Sequence, residues 1–260
     1  MPDKIRTLDA VTRTEDSVPC TQYLVPNARA SLAPPSRNSN PFATCWTRPG
    51  ALPFHFPSGE STATIVERLA ANGWQGEIVG PHGSGKSTLL EALKPALHDA
   101  GCAVNAISLR DGQRWLPRGS LSKQVNYVWH AQSPSDGRGN NATLPRPSPG
   151  AQGRATPSTV LIIDGYEQLG WLQRMWLKLR CRRDSFGLLV TSHSPTGLPT
   201  LITLAPDLSL VQQLVATLCG RTATRVTPAD VAASHAGRGS NVRDTFFDLY
   251  DQHERHRTAR

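Results

Sequence analysis

The chain of 260 residues has no apolar run long enough to cross a membrane, so no spanning segment is expected. Its N-terminus carries no apolar core of the signal-peptide kind. The five cysteines, Cys20, Cys45, Cys102, Cys181 and Cys219, are odd in number, widely spaced and form no C-x-x-C pair. That removes the common zinc and thiol-redox patterns. Reduced thiols in a cytoplasmic protein with no membrane partner are the expectation. No internal repeat is visible, which argues against a solenoid or propeller.

Glycine and proline are plentiful, 21 of each, but unevenly spread. Residues 1–38 lack a sustained apolar period and include Pro34-Pro35-Ser36, so a disordered arm is expected there. Residues 132–157 are rich in Ser, Gly, Asn and Pro, and read as a flexible insertion. Between and beyond them, the length suits one domain of ordinary size, residues 39–206, and a small helical segment, residues 207–260.

The most informative stretch is Gly80-Pro81-His82-Gly83-Ser84-Gly85-Lys86-Ser87-Thr88. It fills the phosphate-loop pattern G-x-x-x-x-G-K-S/T at every fixed position. Glu77-Ile78-Val79 before it reads as a buried strand, and Leu89, Leu90, Leu93 and Leu97 after it share one helical face. A glycine-rich turn between strand and helix aims backbone N–H groups and a helix N-terminus at phosphate. The expected roles are a Lys86 ammonium on the terminal phosphates and a Ser87 hydroxyl on Mg²⁺. His82 occupies a variable position of the pattern, with no chemistry assigned beyond lining the loop.

Thr159-Val160-Leu161-Ile162-Ile163-Asp164 is an apolar run that ends in a carboxylate. Such a run suits a central parallel strand, and its terminal Asp164 sits where open α/β sheets bind ligands. Asp164 is then a second candidate to hold Mg²⁺. The plain alternative is a turn aspartate, since Asp164-Gly165 is a common turn pair.

These motifs, with Asp164-Gly165-Tyr166-Glu167-Gln168-Leu169 in the form D-G-x-D/E-x-L, resemble the signal-transduction (STAND) ATPases, relatives of the AAA+ group. The resemblance implies ATP and Mg²⁺ as ligands and Glu167 as the acid that polarises the attacking water. Most AAA+ proteins carry Glu directly after the Asp, where this chain has Gly165. The alternative for Glu167 is a first-turn glutamate favoured by the helix dipole. One strand, Cys102–Leu109, lies between the two motifs, as in the additional-strand division of P-loop proteins. An L-S-G-G-Q signature and an N-K-x-D or T-K-x-D motif are both missing, against an ABC ATPase and against GTP.

The resemblance extends to candidate sensors. Phe186–His193 reads as the fourth strand, ending in Thr191, Ser192 and His193. Thr191 or Ser192 would act as the polar sensor of the γ-phosphate. Gly239-Ser240-Asn241-Val242-Arg243 resembles the lid segment whose arginine reaches back to phosphate, which nominates Arg243. Its alternative is a surface pair with Asp244 or Asp248.

Further expected elements are a helix capped by Ser58 around Ile65–Leu69, a phosphate-loop helix kinked or ended by Pro95, and a helix within 118–130. A helix over Glu167–Arg180 and a short strand at Thr200–Leu204 follow. Helices capped by Asp207, Thr227 and Ser240 complete the chain.

The net charge of +8 raises nucleic acid as a partner, but the cations are dispersed. The densest group, Arg174 to Arg183, reads first as a solvated helix face, with a nucleic-acid patch or an arginine finger for a second copy as the lesser alternatives. The expectation is an α/β, three-layer P-loop sheet of about five mainly parallel strands with a lid-like helical segment. Its activity would be Mg²⁺-dependent ATP hydrolysis coupled to conformational change. An ATP-gated switch with a protein partner or self-association, and a DNA- or RNA-dependent ATPase, remain the alternatives.

Overall fold

A computed structural model describes residues 40–116, 156–220, 224–239 and 241–258. The expected arm, the helix within 118–130, all but the last two residues of the 132–157 insertion, and the Ser240 cap lie outside the described residues.

Five strands form one sheet: β1 (Gln75–Val79), β2 (Ala103–Ser108), β3 (Thr159–Asp164), β4 (Gly187–Ser192) and β5 (Thr200–Thr203). Their order is β2-β3-β4-β1-β5, and every pairing is parallel. Seven α-helices accompany them among the described residues. These are α1 (Thr44–Thr47), α2 (Thr62–Ala71), α3 (Lys86–Asp99), α4 (Trp171–Arg183), α5 (Leu208–Cys219), α6 (Pro228–Gly237) and α7 (Val242–Thr258).

The apolar run of β3 explains the layering. Successive strand side chains point to opposite faces. Val160 and Ile162 therefore join Leu189 and the α3 leucines 89, 90, 93 and 97 in one core, with Ile65 and Leu69 of α2. Leu161 and Ile163 join Leu188 and Val190 in a second core, against Leu177 and Cys181 of α4. Helices thus cover both faces of a parallel sheet, which an uninterrupted apolar strand requires. Burying one such leucine stabilises the fold by roughly 1.5–3 kcal/mol.

A third core belongs to the C-terminal helices: Val211, Val215, Leu218, Val231, Val242, Phe246 and Leu249. Phe42, fully buried, reaches into it from the other end of the described chain. Beside it, Asn40 donates to the Tyr250 carbonyl at 3.0 Å and to Glu254 Oε1 at 2.9 Å.

Three local expectations are corrected. The α2 cap is Ser61, whose hydroxyl accepts from Thr64 N, and Ser58 lies too far upstream. Pro95 lies inside α3, which runs on to Asp99. Pro95 is exposed on the outer face of the helix, and Leu97 still packs beneath. The expected helix from Glu167 is a 3₁₀ turn, Tyr166–Gln168, and α4 starts afresh after Gly170. Leu169 and Gly170 make the break, with extended backbone at ψ 136° and 151°, while Gly165, at a φ of +86°, sets the entry to the 3₁₀ turn.

Candidate functional site

Strand order brings distant segments together. β4 lies between β1 and β3, so the C-terminal ends of all three meet at one edge. The chain leaves β1 there through Gly80, whose N–H donates to the Ser192 carbonyl of β4 at 3.1 Å. It turns through Gly85 at a φ of +91° and enters α3 at Lys86.

Lys86 is buried, and its Nζ donates to the carbonyls of Gly80 at 2.6 Å and Pro81 at 2.7 Å. Burial lowers its pKa, an effect that Glu167 and Asp164 oppose and Arg243 reinforces. Ser87 Oγ donates to Asp164 Oδ2 at 2.7 Å, and Thr191 Oγ1 donates to Asp164 Oδ1 at 2.6 Å. Gly165 N in turn donates to Thr191 Oγ1 at 3.0 Å. Each oxygen of Asp164 thus holds one hydroxyl, and residues 77 and 27 positions away in sequence converge on it.

Glu167 stands on the 3₁₀ turn. Arg174 of α4 fixes that turn, donating to the Glu167 carbonyl at 2.7 Å and the Leu169 carbonyl at 2.8 Å. Its guanidinium lies 5.3 Å from the centre of the Tyr166 ring. The Tyr166 hydroxyl is buried, and that burial pushes its pKa up to about 12. Glu167 Oε1 is 3.0 Å from His193 Nδ1, while Oε2 is buried with no partner among the described residues. His193 in turn packs on His82, with ring centroids 3.6 Å apart and planes at 42°.

These groups line a cleft of about 500 Å³. His82, Gly83, Ser84, Gly85, Lys86, Ser87 and Thr88 of the loop lie along it, with Asp164, Glu167, Thr191 and His193. Arg243 lines it from α7, exposed, and pairs with neither Asp244 nor Asp248, which bond Asn241 and Arg238. Asn241 comes so close to the loop that a Cβ on Gly83 would overlap its Oδ1. Pro49, Leu52, Phe54, Leu210 and Leu214 add an apolar wall.

Ser192 is placed differently from Thr191. Alternation turns its side chain to the other face of β4, where it is fully buried and lines no part of the cleft. Gly80 and Pro81 border the loop without lining the cleft. Among the described residues no group of three or more His, Cys, Asp or Glu side chains is set to hold a metal. The oxygens of Ser87 and Asp164, however, lie close enough to flank one divalent ion.

No family model matches this chain, and no curated protein does.

The sequence left three features of the cleft unread. The His82–His193 contact and the His193–Glu167 pair depend on strand order, which brings the ends of β1, β3 and β4 together. The Arg174 clamp on the 3₁₀ turn was concealed by reading residues 167–180 as one helix.

Proposed function

We propose that this chain is an ATP-binding P-loop protein of the AAA+/STAND-like kind that hydrolyses ATP with Mg²⁺. One observation carries the reading: the Ser87 hydroxyl meets the Asp164 carboxylate at 2.7 Å beside the buried Lys86 ammonium. Two motifs far apart in sequence form one polar floor, with a cation, a hydroxyl and a carboxylate in the relation that a Mg²⁺-triphosphate needs.

In this reading residues 82–88 of the loop hold the phosphates, and Lys86 exchanges its two loop carbonyls for phosphate oxygens. Ser87 and Asp164 would hold Mg²⁺, which neutralises charge on the phosphates when bound. The apolar wall with Phe54 and Leu210 suits a planar base. Glu167 takes a proton from water through its unpartnered Oε2 as the water oxygen bonds to the γ-phosphorus. The bond from that phosphorus to the bridging oxygen breaks, and ADP and phosphate leave. Thr191 orients Asp164, and Arg243 supplies positive charge from α7. Ser192 acts through its carbonyl on Gly80 rather than as a sensor.

A second reading is an ATP-gated switch with little turnover, with a protein partner or a second copy as its output. The separation of Glu167 from Asp164 favours it, because the candidate base stands on its own 3₁₀ turn rather than directly after the aspartate.

Steady-state ATP hydrolysis, measured beside Lys86→Ala and Glu167→Gln and with and without DNA, tests the proposal. Turnover absent in both variants, with ATP binding kept in Glu167→Gln, is the expected result. Mg²⁺-dependent binding without turnover moves the conclusion to the switch. Stimulation by DNA, with affinity falling steeply in salt, identifies a nucleic-acid-dependent ATPase. ATP binding unchanged in Lys86→Ala refutes all three.

A further inference from the structure

The phosphate-loop reading leaves His82 and His193 without a task, yet they are the link between the loop and Glu167. His82 is an exposed residue in the loop, and a solvated histidine there has no need of an aromatic neighbour. Instead its ring centroid lies 3.6 Å from that of His193. The half-buried His193 ring then presents Nδ1 at 3.0 Å from Glu167 Oε1. An imidazole protonated at Nδ1 donates there, and the donation fixes which carboxylate oxygen is left open. The oxygen left open is Oε2, buried and unpartnered among the described residues.

The far side of His193 is equally fixed. The preceding Ser192 carbonyl accepts from Gly80 N, so the strand end and the loop start are tied together. The following loop is held by Glu77, a fully buried carboxylate in β1. Glu77 Oε2 accepts from Thr196 N at 2.8 Å and Thr196 Oγ1 at 2.5 Å, and Oε1 accepts from Thr200 Oγ1 at 3.1 Å. With its backbone held on both sides, the His193 ring lies between His82 and Glu167 Oε1.

We propose that His82 and His193 are positioning residues: His82 packs on His193, and His193 holds Glu167 by Oε1, which leaves Oε2 free to accept a proton from the attacking water. The inference rests on the ATPase reading above. A polyphosphate seated in the loop touches the segment that carries His82, so occupancy of the loop is passed through two rings to the base.

The test compares His82→Ala with His82→Phe, and His193→Ala with His193→Asn, in the full chain. Phe keeps a ring face against His193, and Asn keeps a donor near the Nδ1 position and fills the half-buried site. Both alanine variants are expected to lower kcat by about tenfold or more while KM moves less than about twofold. Phe and Asn are expected to restore most of the loss, which a merely structural role would not produce. An unchanged kcat in His82→Ala, or equal losses in Ala and Phe, overturns the relay and leaves the ATPase reading standing.

A second readout covers a chain with turnover too slow to measure. The ¹⁵N and ¹H imidazole resonances of His193 are expected to shift in His82→Ala, in Glu167→Gln, and on adding Mg²⁺-ATP to the wild type. Resonances indifferent to His82→Ala overturn the relay. A chain that binds no ATP overturns the functional reading instead, and the two failures are thereby distinguished.

Discussion

Helices α3 and α4 invite comparison, because each follows a strand-ending turn at the cleft and each packs on the sheet from its own side. In α3 the apolar residues are the buried ones: Leu89, Leu90, Leu93 and Leu97. In α4 the large apolar residues face outward. Trp171, Leu172, Met175, Trp176 and Leu179 are exposed, and only Leu177 and Cys181 are buried. α3 is thus held by its side chains against the sheet. α4 is held by Leu177 and Cys181 in the second core and by Arg174, which clamps the turn that carries Glu167. Apolar character in a sequence marks a core only where the periodicity and the packing agree.

The sharpest way to break this comparison is one chemistry applied to both helices. Leu93→Ala, at a position 1% exposed, is expected to cost about 2–5 kcal/mol in chemical denaturation. Arg174→Ala comes next, at roughly 1.5–3 kcal/mol, because it removes a charged donor from two carbonyls. It is also expected to lower ATP turnover, since the Glu167 turn loses its clamp, whereas Leu93→Ala lowers stability without a specific effect on kcat. Leu172→Ala, at a position 56% exposed, is expected to stay within about 0.5 kcal/mol of the wild type. A large loss there would mean that something covers the outer face of α4.

The smallest effect is one of pH. Burial lowers the His193 and His253 imidazoles below their ordinary 6.5. For His193, Lys86 and His82 add to this, and Glu167 and Asp164 oppose it. In the window below 6.5 the unfolded chain therefore binds more protons, and stability rises with pH through that window. Denaturation midpoints measured at about pH 5.5 and about pH 7 should differ in that direction, and His193→Asn should reduce the difference.

Much of the scaffold was legible in advance. Residues 159–164 form a strand with the bounds that their β-branched run gives, and Asp207 and Thr227 cap helices as their side chains predict. The order of elements implied a parallel sheet, and all five strands are parallel. What was hidden depended on tertiary neighbours. Residues 167–180 read as one helix, but extended backbone at Leu169 and Gly170 separates a 3₁₀ turn from α4. The difference between Thr191 and Ser192 is a matter of strand parity, and a motif does not record parity unless the facing layers are known. His82 meets His193 only because β1 and β4 are neighbours, although β2 and β3 separate them in sequence.

Asn40 and Phe42 carry a mechanical consequence. They anchor the start of the described chain in the core of α5 to α7, and the backbone then runs past the cleft to α2 and the sheet. The same helices are joined to the sheet a second time, through the link from β5 to α5. A body tethered at one point tumbles freely, whereas a body tethered at two turns about the line between them. The segment that bears Arg243 on α7 is thus joined to the rest of the fold at both of its ends, with the cleft between.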